Sequence, residues 1–136
     1  YISYTSLKTI LYQMAQHNEL GKWGEDLAAR MLEDKGYRII ARDWKDGHKD
    51  LDIVAIDDGW LVVVEVKTRR NDAFLSPEQA VDRRKIKNIT LAANRFVKSN
   101  LIDLPIRFDI IAITGTDGEH CKVDHIEDAF MPYYFR

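Results

Sequence analysis

Two acidic residues, Asp52 and Glu65, are the side chains of this sequence best placed to do chemistry, because they lie in two neighbouring β-rich segments. The segments cover residues 50–56 and 60–67. Asp58-Gly59 stands between them, and Asp-Gly between two β-rich runs is the strongest short signal for a two-residue hairpin turn. Counting pairs outward from that turn places Asp52 directly opposite Glu65.

This pairing predicts a site for a divalent cation. Directly opposed residues project from the same face of a sheet, with Cβ atoms about 4.5–5.5 Å apart. Two carboxylates at that distance repel each other unless a proton or a cation lies between them. Mg²⁺ is commonly held by one or two carboxylates together with substrate phosphates. We therefore predict a Mg²⁺ or Mn²⁺ site formed by Asp52, Glu65 and the backbone carbonyl of Val66.

Lys67 lies two residues after Glu65 and is predicted to share its face. A divalent cation at such a site acidifies water and neutralises charge on a phosphodiester in its transition state. The Lys67 ammonium could orient that water or stabilise the growing charge, and the sequence does not decide between these roles. The plain alternative is a solvated sheet face on which Asp50 and Lys67 form an ordinary ion pair. Spacing alone does not separate the two interpretations.

Glu25 is a further candidate for the catalytic set, on a predicted helix over residues 20–36. It adjoins one margin of the apolar stripe of that helix, which could bring its carboxylate to the edge of the sheet. There it would act as a distal ligand or through a water. The residues alone favour a simpler interpretation, a solvated acid near a helix N-terminus, where the helix dipole stabilises negative charge.

Basic residues cluster after the third predicted strand and early in the second predicted helix. A cluster of this kind beside a carboxylate site suits a phosphate backbone, although surface charge on a solvated helix explains any single residue equally well. The predicted nucleic-acid-binding residues are Arg69, Arg70, Arg83, Arg84 and Lys85, and Lys87 belongs to the same cluster.

The order of elements predicts an α/β domain with a mixed central sheet flanked by helices. A helix between the third and fourth strands is a crossover, which makes those two strands parallel neighbours. Ser76-Pro77-Glu78-Gln79 has the form of a capping box at the start of that helix. The predicted strands cover residues 37–44, 50–56, 60–67, 107–113 and 121–126, and the predicted helices cover 20–36 and 77–98.

Length and composition limit the classes of function. At 136 residues the chain is expected to hold one domain, residues 18–136, while residues 1–17 are assigned to an N-terminal extension because the first methionine is Met14. A net charge of -2 excludes a protein that is basic over its whole surface. With Cys121 as the one cysteine, a reducing compartment, the cytoplasm, is expected. The apolar runs are too short to span a membrane.

Several blocks of the sequence resemble the YraN-like family, which is similar to the restriction-endonuclease-like superfamily of metal-dependent nucleases. The resemblance implies an αβββαβ core. It also implies that Asp52, Glu65 and Lys67 take the metal and lysine roles of that superfamily, with Glu25 as the acid carried by the helix. The blocks lie at residues 21–29, 36–44, 50–55, 63–69 and 107–111.

Two short segments depart from the usual pattern of the YraN-like family. Lys49-Asp50 stands where the family usually has Gly-Glu, and Asp43-Trp44-Lys45 stands where it usually has Asn-Trp-Arg. Both lie outside the set of Asp52, Glu65 and Lys67. They affect the details that face the substrate rather than the metal site.

Two functions of different kinds follow from these observations. The first is a Mg²⁺- or Mn²⁺-dependent endonuclease acting on DNA, in particular on branched or structured DNA in repair or recombination. The second is a non-catalytic module that binds nucleic acid or protein on a nuclease-like fold, since function belongs to the site and not to the fold. RNA stays open as a substrate, and a symmetric homodimer is a further expectation.

Overall fold

A mixed five-stranded sheet with one helix on each face forms the core of the protein. The computed structural model describes residues 3–70, 82–115 and 120–131, without the side chains of residues 4–7 and 9–18. The strands lie in the order β1-β2-β3-β4-β5. The elements are α1 (Tyr4–Asp34), β1 (Arg38–Asp46), β2 (Lys49–Asp57), β3 (Trp60–Arg69), α2 (Arg83–Ser99), β4 (Ile106–Thr114) and β5 (Lys122–Ile126).

The predicted hairpin turn between β2 and β3 is confirmed. Asp58 and Gly59 both have positive φ, 48° and 80°, as a two-residue turn of this hand requires. The strands are antiparallel, with Ile56 opposite Leu61 and Ala55 opposite Val62. The register counted outward from the turn is therefore correct as far as Ile53 and Val64, where the paired residues end.

The crossover through α2 makes β3 and β4 parallel, as the element order predicted. Their pairing runs from Leu61 opposite Ile106 to Arg69 opposite Thr114. β1 and β2 are antiparallel, as are β4 and β5. The αβββαβ order expected for a restriction-endonuclease-like core is thus present, followed by β5 as an edge strand.

Both helices differ from their predicted starts. α1 begins at Tyr4, well before the predicted start at residue 20. α2 begins at Arg83, because Asp82 has extended backbone angles and caps the helix by accepting a hydrogen bond from the Lys85 N–H. The predicted capping box at residues 76–79 lies outside the described residues.

The alternation of β3 divides the core into two apolar layers. Val62 and Val64 pack with Ala28 and Leu32 of α1. Leu61 and Val63 face the opposite way and pack with α2 residues that include Ile89, Ala92, Ala93 and Phe96. Because both faces of β3 are covered as far as Glu65, that acid is taken out of water.

The chain after β5 returns to the α2 side of the sheet. Phe130 stacks on Phe108, with ring centroids 5.3 Å apart. Residues 132–136 lie outside the described residues. Within the part of the chain that is described, no helix is both long enough and apolar enough to cross a membrane.

Candidate active site

The site begins where the regular alternation of β2 fails. Residues two apart on a strand normally share a face, yet Leu51 packs in the layer under α2 and Ile53 packs in the layer under α1. Asp52 lies between them, one step beyond the last residue of β2 that pairs with β3. Its carboxylate therefore lies at a point where the two strands separate.

The neighbouring strand is distorted at the same level. Arg42 pairs with Ile53 and Trp44 pairs with Leu51, which leaves Asp43 opposite Asp52. Asp43 has a φ of 47°, a left-handed conformation that few residues other than glycine, asparagine and aspartate adopt. The change from the family's usual asparagine to Asp43 therefore keeps a residue that tolerates this conformation.

Where β2 and β3 separate, the Asp52 side chain takes the place of a backbone hydrogen-bond acceptor. The backbone N–H of Val66 donates a hydrogen bond to Asp52 Oδ2 over 2.8 Å. The Asp52 side chain is thereby fixed beside the end of β3. Asp52 and Glu65 are 8% and 5% exposed, so both carboxyl groups are taken out of water.

Asp52 and Glu65 are two buried acids whose pKa values are both raised. Burial raises the pKa of Glu65 to about 8, and the nearby charge of Asp52 adds to the rise. Burial also raises the pKa of Asp52, although the Val66 N–H and the Glu65 carboxyl oppose the rise. Both acids line one pocket, one step beyond the last pair of residues that joins β2 to β3.

Glu25 reaches the same site from α1, which supports its place beside the acidic pair. Its pKa is raised to about 7, first by burial and then by the charges of Asp52 and Asp43, and Glu25 lines the same pocket as Asp52. The preceding residue, Gly24, allows this approach, because a Cβ at that position would overlap the Thr68 hydroxyl of β3.

Two lysines lie at ion-pair distance from Glu65: Lys67, which was predicted to belong to the site, and Lys85, which was predicted to bind nucleic acid. Lys67 Nζ lies 3.6 Å from Glu65 Oε1, in agreement with its predicted position. Lys85 Nζ lies 3.6 Å from the same oxygen and 3.7 Å from Asp50 Oδ1. Asp50 thus pairs with Lys85, where the plain alternative had paired it with Lys67.

The sequence predicted Lys85 to bind nucleic acid, and the structure brings its ammonium beside Glu65 and Asp50. Its helical position contains the missed signal: Lys85, Ile89, Ala92 and Phe96 are spaced by four, three and four residues and so lie on one face. That face packs on the sheet, with Ile89, Ala92 and Phe96 buried. The other predicted nucleic-acid-binding residues remain near the surface: Arg70, Arg83 and Arg84 are exposed and Arg69 is half-buried.

A pocket of about 250 Å³ opens onto Glu25, Asp52, Glu65 and Lys67. A water molecule occupies roughly 30 Å³ of the liquid, so the pocket has room for a small hydrated ion. Its walls come from α1 and from the ends of β2 and β3, namely Leu20, Gly21, Glu25, Asp52, Glu65, Val66, Lys67 and Thr68.

The donor set of Asp52, Glu65 and the Val66 carbonyl fits a hard cation that keeps part of its water shell. Both carboxyl groups are buried, adjacent and raised in pKa, which is the arrangement that a divalent cation relieves. Among the described residues, no group of three or more His, Cys, Asp or Glu side chains could hold a metal ion.

A second buried acid, Asp109 of β4, lies outside this pocket and is fully satisfied by protein groups. Arg107 donates to both of its oxygens, each over 2.9 Å, and His125 and the Asp128 N–H complete the set at 2.8 and 3.0 Å. Burial alone would raise the pKa of Asp109, but these hydrogen bonds outweigh it and the pKa is lowered.

The chain is similar to proteins of one family over most of its length. The model of "Uncharacterised protein family UPF0102" matches residues 24–113. A UPF0102 protein of Bacteroides thetaiotaomicron is 52% identical over 122 residues, 90% of this chain and 100% of that protein. UPF0102 proteins of Phocaeicola vulgatus and Flavobacterium psychrophilum are 48% and 47% identical, with 88% and 90% of this chain covered and 98% and 100% of theirs. The resemblance to the YraN-like family is thus confirmed, and the chain belongs to family UPF0102.

Proposed function

We propose that this protein is a Mg²⁺- or Mn²⁺-dependent nuclease that hydrolyses phosphodiester bonds in DNA. The observation that carries the proposal is the pair of buried carboxyl groups of Asp52 and Glu65 at the open end of two strands, beside Lys67. A buried acidic pair is costly to keep in an apolar sheet. Perturbed acids of this kind, gathered in a pocket, are typical of catalytic and metal-binding sites.

In this proposal, Asp52, Glu65 and the Val66 carbonyl hold the cation, as judged from their adjacency and burial. When bound, the cation supplies positive charge beside the scissile phosphate, which favours attack by water. Lys67 orients the water or stabilises the negative charge of the transition state, because it lines the same pocket and its ammonium lies 3.6 Å from Glu65 Oε1. Glu25, with a pKa of about 7, accepts or releases a proton near neutral pH.

The proposed substrate is a nucleic acid because cations are placed around an acidic site. Arg83 and Arg84 are exposed in the first turn of α2, the same turn that carries Lys85 into the site. No acidic residue lies in that turn, so its cations add to the positive end of the helix dipole. A phosphate backbone passing over the pocket would meet this positive charge. We propose DNA, with branched or structured forms as the preferred substrate.

The proposal is tested by incubating the protein with labelled junction, flap, single-stranded and duplex DNA, and with matched RNA, in Mg²⁺ or Mn²⁺. The parent should cut at least one of the DNA forms. Glu65→Gln and Asp52→Asn keep the size of the side chains and should each lower the rate by about 10²-fold or more. Cleavage by Glu65→Gln at the parent rate would end the proposal, as would an intact DNA panel.

A second candidate function, a non-catalytic binding module, is favoured by one observation. Glu65 already has two ammonium groups, those of Lys67 and Lys85, within 3.6 Å, so protein cations supply part of its compensation. The thermal midpoint with and without Mn²⁺ separates the two functions, since a ligand that binds the native state alone must raise it. No shift at millimolar Mn²⁺ would favour the binding module.

A further inference from the structure

Lys85 is the one cation of the site that comes from α2 rather than from β3. Its backbone N–H is held by the Asp82 cap over 2.9 Å, so the base of the side chain is fixed in the first turn of the helix. From there the side chain reaches Glu65 and Asp50 at 3.6 and 3.7 Å. The Lys85 ammonium therefore lies within ion-pair distance of two carboxylates, those of Glu65 and Asp50.

Two ammonium groups lie close to Glu65 Oε1, and a bound metal ion would be a third positive charge beside the same carboxylate. Lys67 and Lys85 both approach this single oxygen to 3.6 Å. A divalent cation that shared the oxygen would repel both ammonium groups, and repulsion between charges a few ångströms apart is strong in a partly buried site. Lys85 has a second carboxylate partner at hand, Asp50, whereas the structure gives Lys67 an ion pair with Glu65 among the described residues.

We propose that Lys85 is a resident counter-ion that competes with the divalent cation for Glu65 and, once displaced, turns towards Asp50 and the substrate phosphate. This inference rests on the proposed function, because it assumes that the acidic pair binds a cation. It explains how an acidic pair can stay buried in the protein before metal binds. It also gives Lys85 two opposite effects, one that weakens metal binding and one that strengthens phosphate binding.

The two effects predict an unusual pair of results for Lys85→Met. Methionine keeps the length and helix preference of lysine and removes the charge. The affinity for Mn²⁺, measured by calorimetric titration, should rise by about tenfold, because a competing charge has gone. The affinity for DNA in Ca²⁺ should fall, and its dependence on the logarithm of salt concentration should lose about one unit of slope.

Three further variants distinguish the effect of the Lys85 charge from an effect on folding. Lys85→Arg keeps the charge and should bind Mn²⁺ nearly as the parent does. Lys85→Gln provides a second neutral side chain if the methionine variant is unstable. Lys98→Met removes the same charge from the exposed last turn of the same helix and should change neither affinity measurably. Circular dichroism before each titration confirms that the variant is folded.

The outcomes distinguish this inference from the proposed function. If the parent binds Mn²⁺ and both neutral variants bind it equally or more weakly, Lys85 is not a competitor, and the nuclease proposal is unaffected. If the neutral variants bind more tightly but the parent cuts no nucleic acid, the inference holds and the nuclease proposal fails. If neither the parent nor the neutral variants bind Mn²⁺, both are wrong.

Discussion

The protein has buried acids in two regions, and their surroundings shift the pKa values of these acids in opposite directions. In β4, Asp109 receives hydrogen bonds from Arg107, His125 and the Asp128 N–H, and its pKa is lowered. Where β2 and β3 separate, the pKa values of Asp52 and Glu65 are raised. Asp109 is fully buried and still has the lowered pKa, so exclusion of water alone does not explain the difference.

The difference lies in what the surrounding residues supply. Asp109 is ionised at neutral pH and has a full set of donors, which is how a structural acid is stabilised. Asp52 has one backbone donor, and Glu65 has two lysines at ion-pair rather than hydrogen-bond distance. An acidic pair left in that condition is suited to an external cation, whereas Asp109 needs none.

The largest expected effect on stability belongs to Asp109. Asp109→Ala should lower the free energy of unfolding by about 3–5 kcal/mol, because it leaves the Arg107 guanidinium buried without its carboxylate. Urea titration followed by circular dichroism measures this loss. Asp52→Ala, by contrast, should cost much less or stabilise the metal-free protein, since it removes an acid that burial disfavours. Equal losses for the two variants would contradict the distinction between the two regions.

Gly24→Ala should have the next largest effect, because it acts on the approach of α1 to the site. The added methyl group would overlap the Thr68 hydroxyl, and overpacking of this kind costs about 1–3 kcal/mol. Activity should fall more than stability, since the helix carries Glu25. Gly21→Ala is the matched control: a Cβ there meets no atom within 4 Å, so the helix should gain slightly. Equal results for the two variants would mean that Gly24 is not a close-contact residue.

The effect of pH should have opposite signs in the two regions. Glu65 has a pKa of 4.5 in its ordinary state and about 8 in the fold, so the folded protein holds a proton that the unfolded chain releases. The free energy of unfolding contributed by Glu65 therefore falls as pH rises from about 4.5 to about 8. Asp109 behaves in the reverse way: its contribution is present above 3.8 and is lost as pH falls below that value.

Glu65→Gln isolates the first of these effects. In metal-free buffer the variant should be more stable than the parent at pH 8, by on the order of 1 kcal/mol, and the two should converge towards pH 5. Urea midpoints at both pH values measure the difference. Glu25 titrates in the same range, with a pKa of about 7, so some pH dependence should persist in the variant. A parent that is more stable than the variant at pH 8 would contradict the raised pKa of Glu65.

The sequence predicted the parts of the site that depend on neighbouring residues. The turn at Asp58-Gly59 sets the register of two strands, and the predicted pairs are confirmed from Asp57 and Trp60 to Ile53 and Val64. These pairs could be counted because a hairpin is a local structure whose turn type fixes its pairing. The predicted pair of Asp52 and Glu65 lies one step beyond the last paired residues, where the Asp52 side chain instead accepts a hydrogen bond from the Val66 N–H.

The parts that were missed depend on contacts between distant segments. Lys85 was predicted to bind nucleic acid, in a helix that began earlier, at Pro77. In the structure α2 begins at Arg83, so Lys85 lies in its first turn. The break in β2 at Asp52 has no local sequence signal beyond Asp43, a residue compatible with positive φ. The donors to Asp109 come from β4 itself, from β5 and from the chain after it. Packing of whole elements decides such contacts.

A divalent cation shared by Asp52 and Glu65 can be located in crystals of the protein soaked in Mn²⁺, by anomalous diffraction. We expect one strong peak in the pocket, about 2 Å from a carboxylate oxygen of each residue, and no such peak in Glu65→Gln. A pocket without Mn²⁺ at millimolar concentration, or a peak that is bound elsewhere, would show that the two residues do not share a cation.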